Sequence, residues 1–395
     1  MPTPPSRVVI VGASLGGASA AVALRELGFD GEVLLIGAET HLPYERPPLS
    51  KAVLLGDTDE PDWVKDADYY ASNNIGLLSG TVATAIDRER HMVLAGSEEY
   101  PYDRLLLATG STPRRLPVPG ADLEGVVTLR TLDDSLALRK RFGDGARIVI
   151  VGAGWIGCEA AAAARKHGAR VTVLEPASQP LVRVVGEKIG AVFADLHREH
   201  GVDLRLGGAG VHAFTGGSTV ESVQLSDGGS VPADTVLVGI GVKPNVELAE
   251  TAGLELADQG IAVDASLRTS DPDTFAVGDI AAHDHPHYSG RIRVEHWAVA
   301  KDQGAHVAAN LLGADKPYEL RPFFFSDQYD LGCEYRGQAD PEQDQLVVRG
   351  DLAAREFTAF WLRDGGVTAA MNVNQWDDID TLQALVDSGA PLPPA

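Results

Sequence analysis

The stretch VGAGWIGCE, at positions 151–159, decides how this chain is read. It follows the apolar run ARIVIV at 146–151 and opens the alanine-rich segment at 160–165. Strand, glycine turn and helix in that order are the setting in which a G-x-G-x-x-G pattern carries weight. Gly152 permits the tight turn, Gly154 lets a pyrophosphate approach the backbone, and Gly157 lets helix and strand pack closely. With Ile156 they form the candidate phosphate turn, and the helix start adds free N–H groups and a partial positive charge. The next apolar segment, 170–174, ends in Glu175, about 20 residues on, where an acid takes the ribose hydroxyls. A carboxylate there repels a 2′-phosphate, so the pattern favours NADH over NADPH.

The stretch has a second copy. Positions 8–17 read VVIVGASLGG and lead into a helical pattern over 18–27. Gly12, Ser14 and Gly17 occupy the three motif positions, with serine replacing the middle glycine. A second strand at 32–36 is followed by Glu39, a candidate ribose acceptor. Two dinucleotide folds in one chain imply two dinucleotides, and a pair that needs one protein is FAD with a nicotinamide.

The rest of the composition narrows the class. A chain of 395 residues has room for two or three domains, and 44% hydrophobic with 23% charged residues is a globular balance. The 33 Lys and Arg against 56 Asp and Glu leave a net charge of −23, which argues against nucleic acid or an anionic membrane as partner. No apolar run approaches the roughly 20 residues of a membrane helix, and the opening MPTPPS does not read as a signal segment. The two cysteines, Cys158 and Cys333, form neither a CxxC nor a metal-ligand set, so a reducing, cytoplasmic setting is the default. The tract His283-Asp284-His285-Pro286-His287 invites a metal reading, but its spacing puts no two histidines on one helical face, and we read it as a surface loop with no metal site.

Several separated motifs now converge on one family. Positions 46–51 read RPPLSK within the proline-stiffened segment HLPYERPPLSK. YDRLLLATG ends at Gly110, LRTLDD begins at Leu129, and TFAVGDI ends at Ile280. EHWAVAKDQG spans 295–304, and the aromatic tail contains Ser326-Asp327-Gln328. Together with the two glycine turns, this order resembles the ferredoxin-reductase type of pyridine-nucleotide flavoproteins that serve bacterial oxygenases and P450 systems. The resemblance covers essentially the full length.

What the resemblance implies can be stated residue by residue. FAD would be held by Gly12, Ser14, Gly17, Glu39, Arg46, Lys51, Val82, Ala108, Thr109, Gly110, Arg130, Asp279 and Trp297. NADH would be held by Gly152, Gly154, Ile156, Gly157, Glu159, Glu175, Arg183 and Gly241. Lys51 and Glu159 would pair beside the flavin edge, where a partner acid keeps a buried lysine charged. The family commonly has a tryptophan at the position of Phe325, a departure that bears on the handling of the electron donor's partner. The implied fold is α/β and glutathione-reductase-like. It comprises a discontinuous FAD domain (1–113 and 243–316), an NAD domain (114–242) and a C-terminal α+β domain (317–395). The implied activity passes electrons from NADH through FAD to a one-electron carrier, a [2Fe–2S] ferredoxin or a rubredoxin. An NADH oxidase or quinone reductase, and an NADH-responsive sensing protein, are the alternatives from other classes. The sequence leaves monomer and homodimer equally open.

Overall fold

The computed structural model describes residues 5–288 and 290–394. The chain divides into two compact units, one made of Met1–Arg46, Asp62–Thr112 and Lys243–Pro322, the other of Pro47–Pro61, Pro113–Val242 and Phe323–Ala395. Each contains a copy of the same strand-turn-helix, and each is built around it.

In the first unit the strand Arg7–Val11 lies at the centre of a five-stranded parallel sheet, between Arg104–Leu107 and Glu32–Ile36, with Thr274–Ala276 and Ile75–Leu78 outermost. Its sequence RVVIV is apolar without alternation because both faces of the sheet are covered, and Val8, Val9 and Ile10 are fully buried. The helix Leu15–Glu26 covers one face and packs against the helix Trp297–Leu311. These helices approach backbone to backbone, since a Cβ on Gly304 would overlap the carbonyl of Gly16. That contact requires glycine. The unit also carries smaller sheets, among them an antiparallel one over residues 83–101 and a mixed four-stranded one that includes Gly260–Val263 and Ala281–Asp284.

The second unit repeats the plan. Arg147–Val151 sits between Arg170–Glu175 and Thr235–Val238 in a parallel five-stranded sheet, edged by Asp203–Leu206 and Val126–Val127. The helix Trp155–Lys166 buries its run of five alanines, which gives a thin helix that can lie close to the sheet. The equivalence of the two copies extends to single bonds. Gly12 N donates to Ile36 O and Gly152 N to Leu174 O, each at 2.8 Å, and in both cases the glycine has a left-handed φ, +117° and +103°. The unit also carries the C-terminal antiparallel sheet of five strands between Phe323 and Val373, with Trp361, Phe357 and Met371 in its core and the helix Ile379–Ser388 against it. Pro47–Pro61 belongs to this unit, where Arg139 Nη1 donates to the carbonyls of Val53 and Thr58, at 2.8 and 3.0 Å.

One expectation is overturned. The histidine tract is not a surface loop: Ala281–Asp284 is a strand, and His283 and His285 are 1% and 3% exposed. The alternation of buried His283, exposed Asp284 and buried His285 is the period of two of a half-buried strand. His283 Nε2 lies 3.3 Å from Ala265 O and His285 Nε2 3.1 Å from Leu320 O, so both rings serve as donors to backbone. Among the described residues no cluster of three His, Cys, Asp or Glu forms a metal cage.

Burial pushes His283 down to about 4, and does the same to His197 in the second unit. An unfolded histidine titrates near 6.5, so between about pH 6.5 and 4 the unfolded chain binds these protons and the folded chain does not. Stability therefore rises with pH across that window and is lost as pH falls through it. The melting temperature is expected to drop steadily from pH 7 to pH 4.5, and His283→Gln to reduce the slope. A melting temperature that is flat over this range contradicts the assignment.

Candidate functional site

The first unit gathers residues that are far apart in sequence around the turn after its central strand. The helix Leu15–Glu26 has Ser14 at its N-cap with no side-chain cap, and no acid in its first turn. Its opening N–H groups therefore face outward without a local anion. A Cβ on Gly12 would overlap the carbonyl of Ala108, which fixes Ala108, Thr109 and Gly110 against this turn. Asn245 then clamps that segment: its Nδ2 donates to Thr109 O at 2.9 Å, its N–H donates to Gly110 O at 2.9 Å, and Thr109 Oγ1 donates to Asn245 O at 2.7 Å. Asp279 is 8% exposed and accepts from Ser111 Oγ at 2.5 Å. Sequence reasoning placed Asp279 here but missed Ser111 and Asn245, which have no motif of their own.

Glu39 and Arg46 meet one another, with Arg46 Nη2 2.7 Å from Glu39 Oε1, and the Tyr44 hydroxyl donates to the same carboxylate. Glu39 is thus held in place just beyond the carboxyl end of the strand Glu32–Ile36 by its own loop. Val82 is 56% exposed, and its segment is tied to the same loop by Gly80 N to Glu39 O and Thr81 N to Gly37 O, at 2.9 and 2.8 Å. Trp297 begins its helix half-buried, its Nε1–H donating to Glu45 Oε2 at 3.0 Å, and Lys301 Nζ lies 5.0 Å from the centre of its ring. Glu45 is a third residue that the sequence did not single out.

In the second unit the turn at 152–157 is open where a ligand would lie. A Cβ on Gly154 would meet nothing within 4 Å, and the helix Trp155–Lys166, with Gly154 at its N-cap, has neither a side-chain cap nor an acid in its first turn. Ile156 stands 44% exposed beside it. Glu175 reaches back to the turn, its Oε2 accepting from Ala153 N at 2.8 Å and its Oε1 from Ala177 N at 2.9 Å. Arg183 is exposed in the first turn of the helix Val182–Glu199. Gly241 is exposed with φ +94°, and its carbonyl accepts from Arg114 N at 2.9 Å. Arg130 precedes a capping box in which Thr131 and Asp134 satisfy each other's backbone, so its position is fixed by the start of the helix Leu132–Arg139.

The same unit contains a buried charge centre. Lys51 Nζ lies 2.8 Å from Glu159 Oε1, with the two side chains 15% and 3% exposed. Ser50 Oγ donates to Glu159 Oε2 at 2.5 Å and Ser326 Oγ to Oε1 at 2.6 Å. Phe325, in the same strand, puts its ring centre 4.9 Å from Lys51 Nζ. One carboxylate is therefore held by a cation and two hydroxyls from two separate segments, with an aromatic face on the cation. Both cysteines are buried and free, and burial pushes both thiols up.

The chain was compared with known proteins. It matches the family described as pyridine nucleotide-disulphide oxidoreductase over residues 6–304 and that described as reductase C-terminal over residues 323–395. It is 43% identical to the anthranilate 1,2-dioxygenase system ferredoxin–NAD(+) reductase component of Burkholderia cepacia, across 97% of this chain and 94% of the relative. It is 39% identical to putidaredoxin reductase of Pseudomonas putida, across 98% and 93%. Among solved structures it resembles the ferredoxin reductase for the CYP199A2 system of Rhodopseudomonas palustris, with a TM-score of 0.94 and 39% identity over 98% of this chain and 96% of the other. The covalent putidaredoxin reductase–putidaredoxin complex matches with a TM-score of 0.93 and 38% identity, over 98% and 94%. With two duplicated dinucleotide turns and a C-terminal sheet of this kind, the chain belongs to the pyridine nucleotide-disulphide oxidoreductase family.

Proposed function

We propose that this chain is an FAD-dependent NADH:ferredoxin oxidoreductase, whose acceptor is a one-electron iron–sulfur carrier of the [2Fe–2S] ferredoxin or rubredoxin type serving an oxygenase. The observation that carries the reading is the pair of uncapped glycine-turn helices, one in each unit, each with an acid at the end of the neighbouring strand. Bound FAD supplies the step that turns the two electrons of a hydride into single electrons for the carrier.

The residues of the first unit suit FAD. The open helix start at Ser14 takes a pyrophosphate, Glu39 has carboxylate lone pairs for a ribose, and buried Asp279, oriented by Ser111, accepts from hydroxyls of a ribityl chain. Arg46 is placed beside Glu39, and Trp297 is held by Glu45. Those of the second unit suit NADH. The open space at Gly154 would admit the pyrophosphate, while Glu175, tied to the turn by the Ala153 and Ala177 N–H groups, would accept from ribose hydroxyls and disfavour a 2′-phosphate. Lys51 and Glu159 act as a positioning pair, holding a fixed positive charge and excluding water where the nicotinamide is presented. No side chain is assigned as a base, because a hydride moves without one. A dithiol route is disfavoured on the residues themselves, since both cysteines are buried with raised thiols and no CxxC occurs. Two free cysteines also fit a reducing compartment such as the cytoplasm.

The deciding experiment is NADH consumption by the purified flavin-loaded protein, with and without a [2Fe–2S] ferredoxin coupled to cytochrome c. A large carrier-dependent increase is expected. Equal rates on oxygen alone turn the reading into an oxidase, and flavin reduction without turnover turns it into a sensor. Glu175→Ala should narrow the NADH over NADPH preference in kcat/KM by about tenfold or more, the worth of a charged hydrogen bond, and an unchanged ratio removes Glu175 from ribose selection. Glu159→Gln, which keeps the shape and removes the charge facing Lys51, should slow flavin reduction by NADH by about 10- to 100-fold. A rate equal to that of the unchanged protein contradicts the positioning role.

A further inference from the structure

Glu159 is the last member of a longer buried chain, and its direction can be derived outward from the carboxylate. An ionised carboxylate only accepts hydrogen bonds. Facing the Lys51 ammonium, Glu159 must therefore receive the proton of Ser326, whose Oγ is 2.6 Å from Oε1. With its one proton committed, Ser326 Oγ accepts from Gln328, whose Nε2 is 3.1 Å away. That sets the amide, leaving Gln328 Oε1 toward His197 Nε2 at 3.0 Å. His197 must then carry its proton on Nε2, and its bare Nδ1 accepts from the Tyr329 hydroxyl at 3.3 Å. Every donor points toward Glu159. Four of the five members lie out of water, with Glu159, Ser326, Gln328 and His197 at 3%, 0%, 1% and 1% exposure, and Tyr329 is half-buried. In such surroundings successive hydrogen bonds polarise one another in a common direction.

We propose that His197 and Gln328 are positioning residues for the Lys51–Glu159 pair. They act through Ser326 by locking one tautomer and one amide orientation, so that the Ser326 hydroxyl always donates to Glu159. The far end of the chain is anchored at some cost. Tyr329 adopts a left-handed backbone with φ +57°, which a tyrosine rarely does, in the two-residue connection between the strands Phe323–Gln328 and Leu331–Gly337. That turn stacks its ring on His200, with centroids 3.7 Å apart and planes 14° from parallel, and brings its hydroxyl to His197. The reversed chain, with His197 protonated on Nδ1 and the amide turned over, would aim the Ser326 proton at Gln328 and leave its oxygen toward the carboxylate. Burial pushes His197 down to about 4, so the ring is neutral and its single proton has one place to go.

The inference rests on Lys51 and Glu159 acting as the pair described above, and its test is separable from that reading. Nitrogen-15 histidine NMR of the unmutated holoprotein at pH 7 should show His197 as the neutral Nε2–H tautomer. The Nδ1–H tautomer, or a mixture, overturns the proposal whatever the enzyme reduces. A double-mutant cycle reads the coupling. Gln328→Leu should lower the rate of flavin reduction by NADH about tenfold, the worth of one charged hydrogen bond, but by less than about twofold once Ser326→Ala is present. Equal losses in both backgrounds would mean that Gln328 only supports the fold, and would overturn the proposal. If Glu159→Gln leaves NADH oxidation unchanged while His197 keeps its tautomer, the role of the ion pair fails and the hydrogen-bond chain stands.

Discussion

A carboxylate taken out of water must be matched on all sides, and in this chain that requirement falls on Glu159. Its partners are Lys51 and Ser50 from Pro47–Pro61 and Ser326 from the first strand of the C-terminal sheet. Three segments that are remote in sequence are thereby joined at one atom pair, near the start of the helix that follows the second glycine turn. The segment Pro47–Pro61, which contains the short helices Pro47–Ser50 and Ala52–Leu55, belongs to the second unit and buries Leu54 in that unit's core. It delivers a cation and a hydroxyl, and the helix Leu132–Arg139 holds it through Ser135 Oγ to Leu49 O at 2.6 Å.

The two halves share a strand, a turn and a helix, and they differ where their chemistry differs. In the first, the middle motif position is Ser14 and the neighbouring strand is followed by Glu39, tied down by Arg46 and Tyr44. In the second, the middle position is Gly154 with open space around it, and Glu175 bonds directly to the turn. A turn that carries a serine side chain and a turn that carries none give the ligand different approaches to the same kind of helix start. The duplicated plan supplies the scaffold, and the substitutions on it make the sites unequal.

Much of this was legible because backbone geometry restricts residue choice. A left-handed turn at the end of a buried strand calls for glycine, so Gly12 and Gly152 announce themselves, and the apolar strands around them read without ambiguity. The Lys51–Glu159 contact spans 108 positions, and only the family resemblance linked the two residues. Ser50, Ser111, Asn245, Glu45 and His197 were invisible for another reason. Hydroxyls, amides and single histidines are common on surfaces, and what makes these five matter is strand register and loop path, which no local pattern records. The histidine tract failed differently. Its polar composition suggested a loop, while the alternation of His283 and His285 with Asp284 was the signal of a strand and was outweighed. In the C-terminal region the aromatic runs lie in two of the five strands, Phe323–Gln328 and Glu356–Arg363, while Leu331–Gly337, Gln345–Asp351 and Gly366–Val373 have too mixed a composition to stand out.

The interleaving of the two units along the chain also governs how the protein can be made. The first unit needs residues on either side of 47–61 and 113–242, and one edge strand of its sheet, Thr274–Ala276, emerges from a ribosome only after the whole of 113–242. The second needs the strands after Phe323 to bury Trp361 and to give Glu159 its Ser326. Domains that are contiguous in sequence fold as they emerge during synthesis. Here the first unit's parallel sheet lacks its edge strand until residue 276 has left the ribosome, so that nascent sheet waits with an open edge. The acidic balance of the sequence, −23 overall, gives those waiting intermediates a mutual repulsion that keeps neighbouring nascent chains apart.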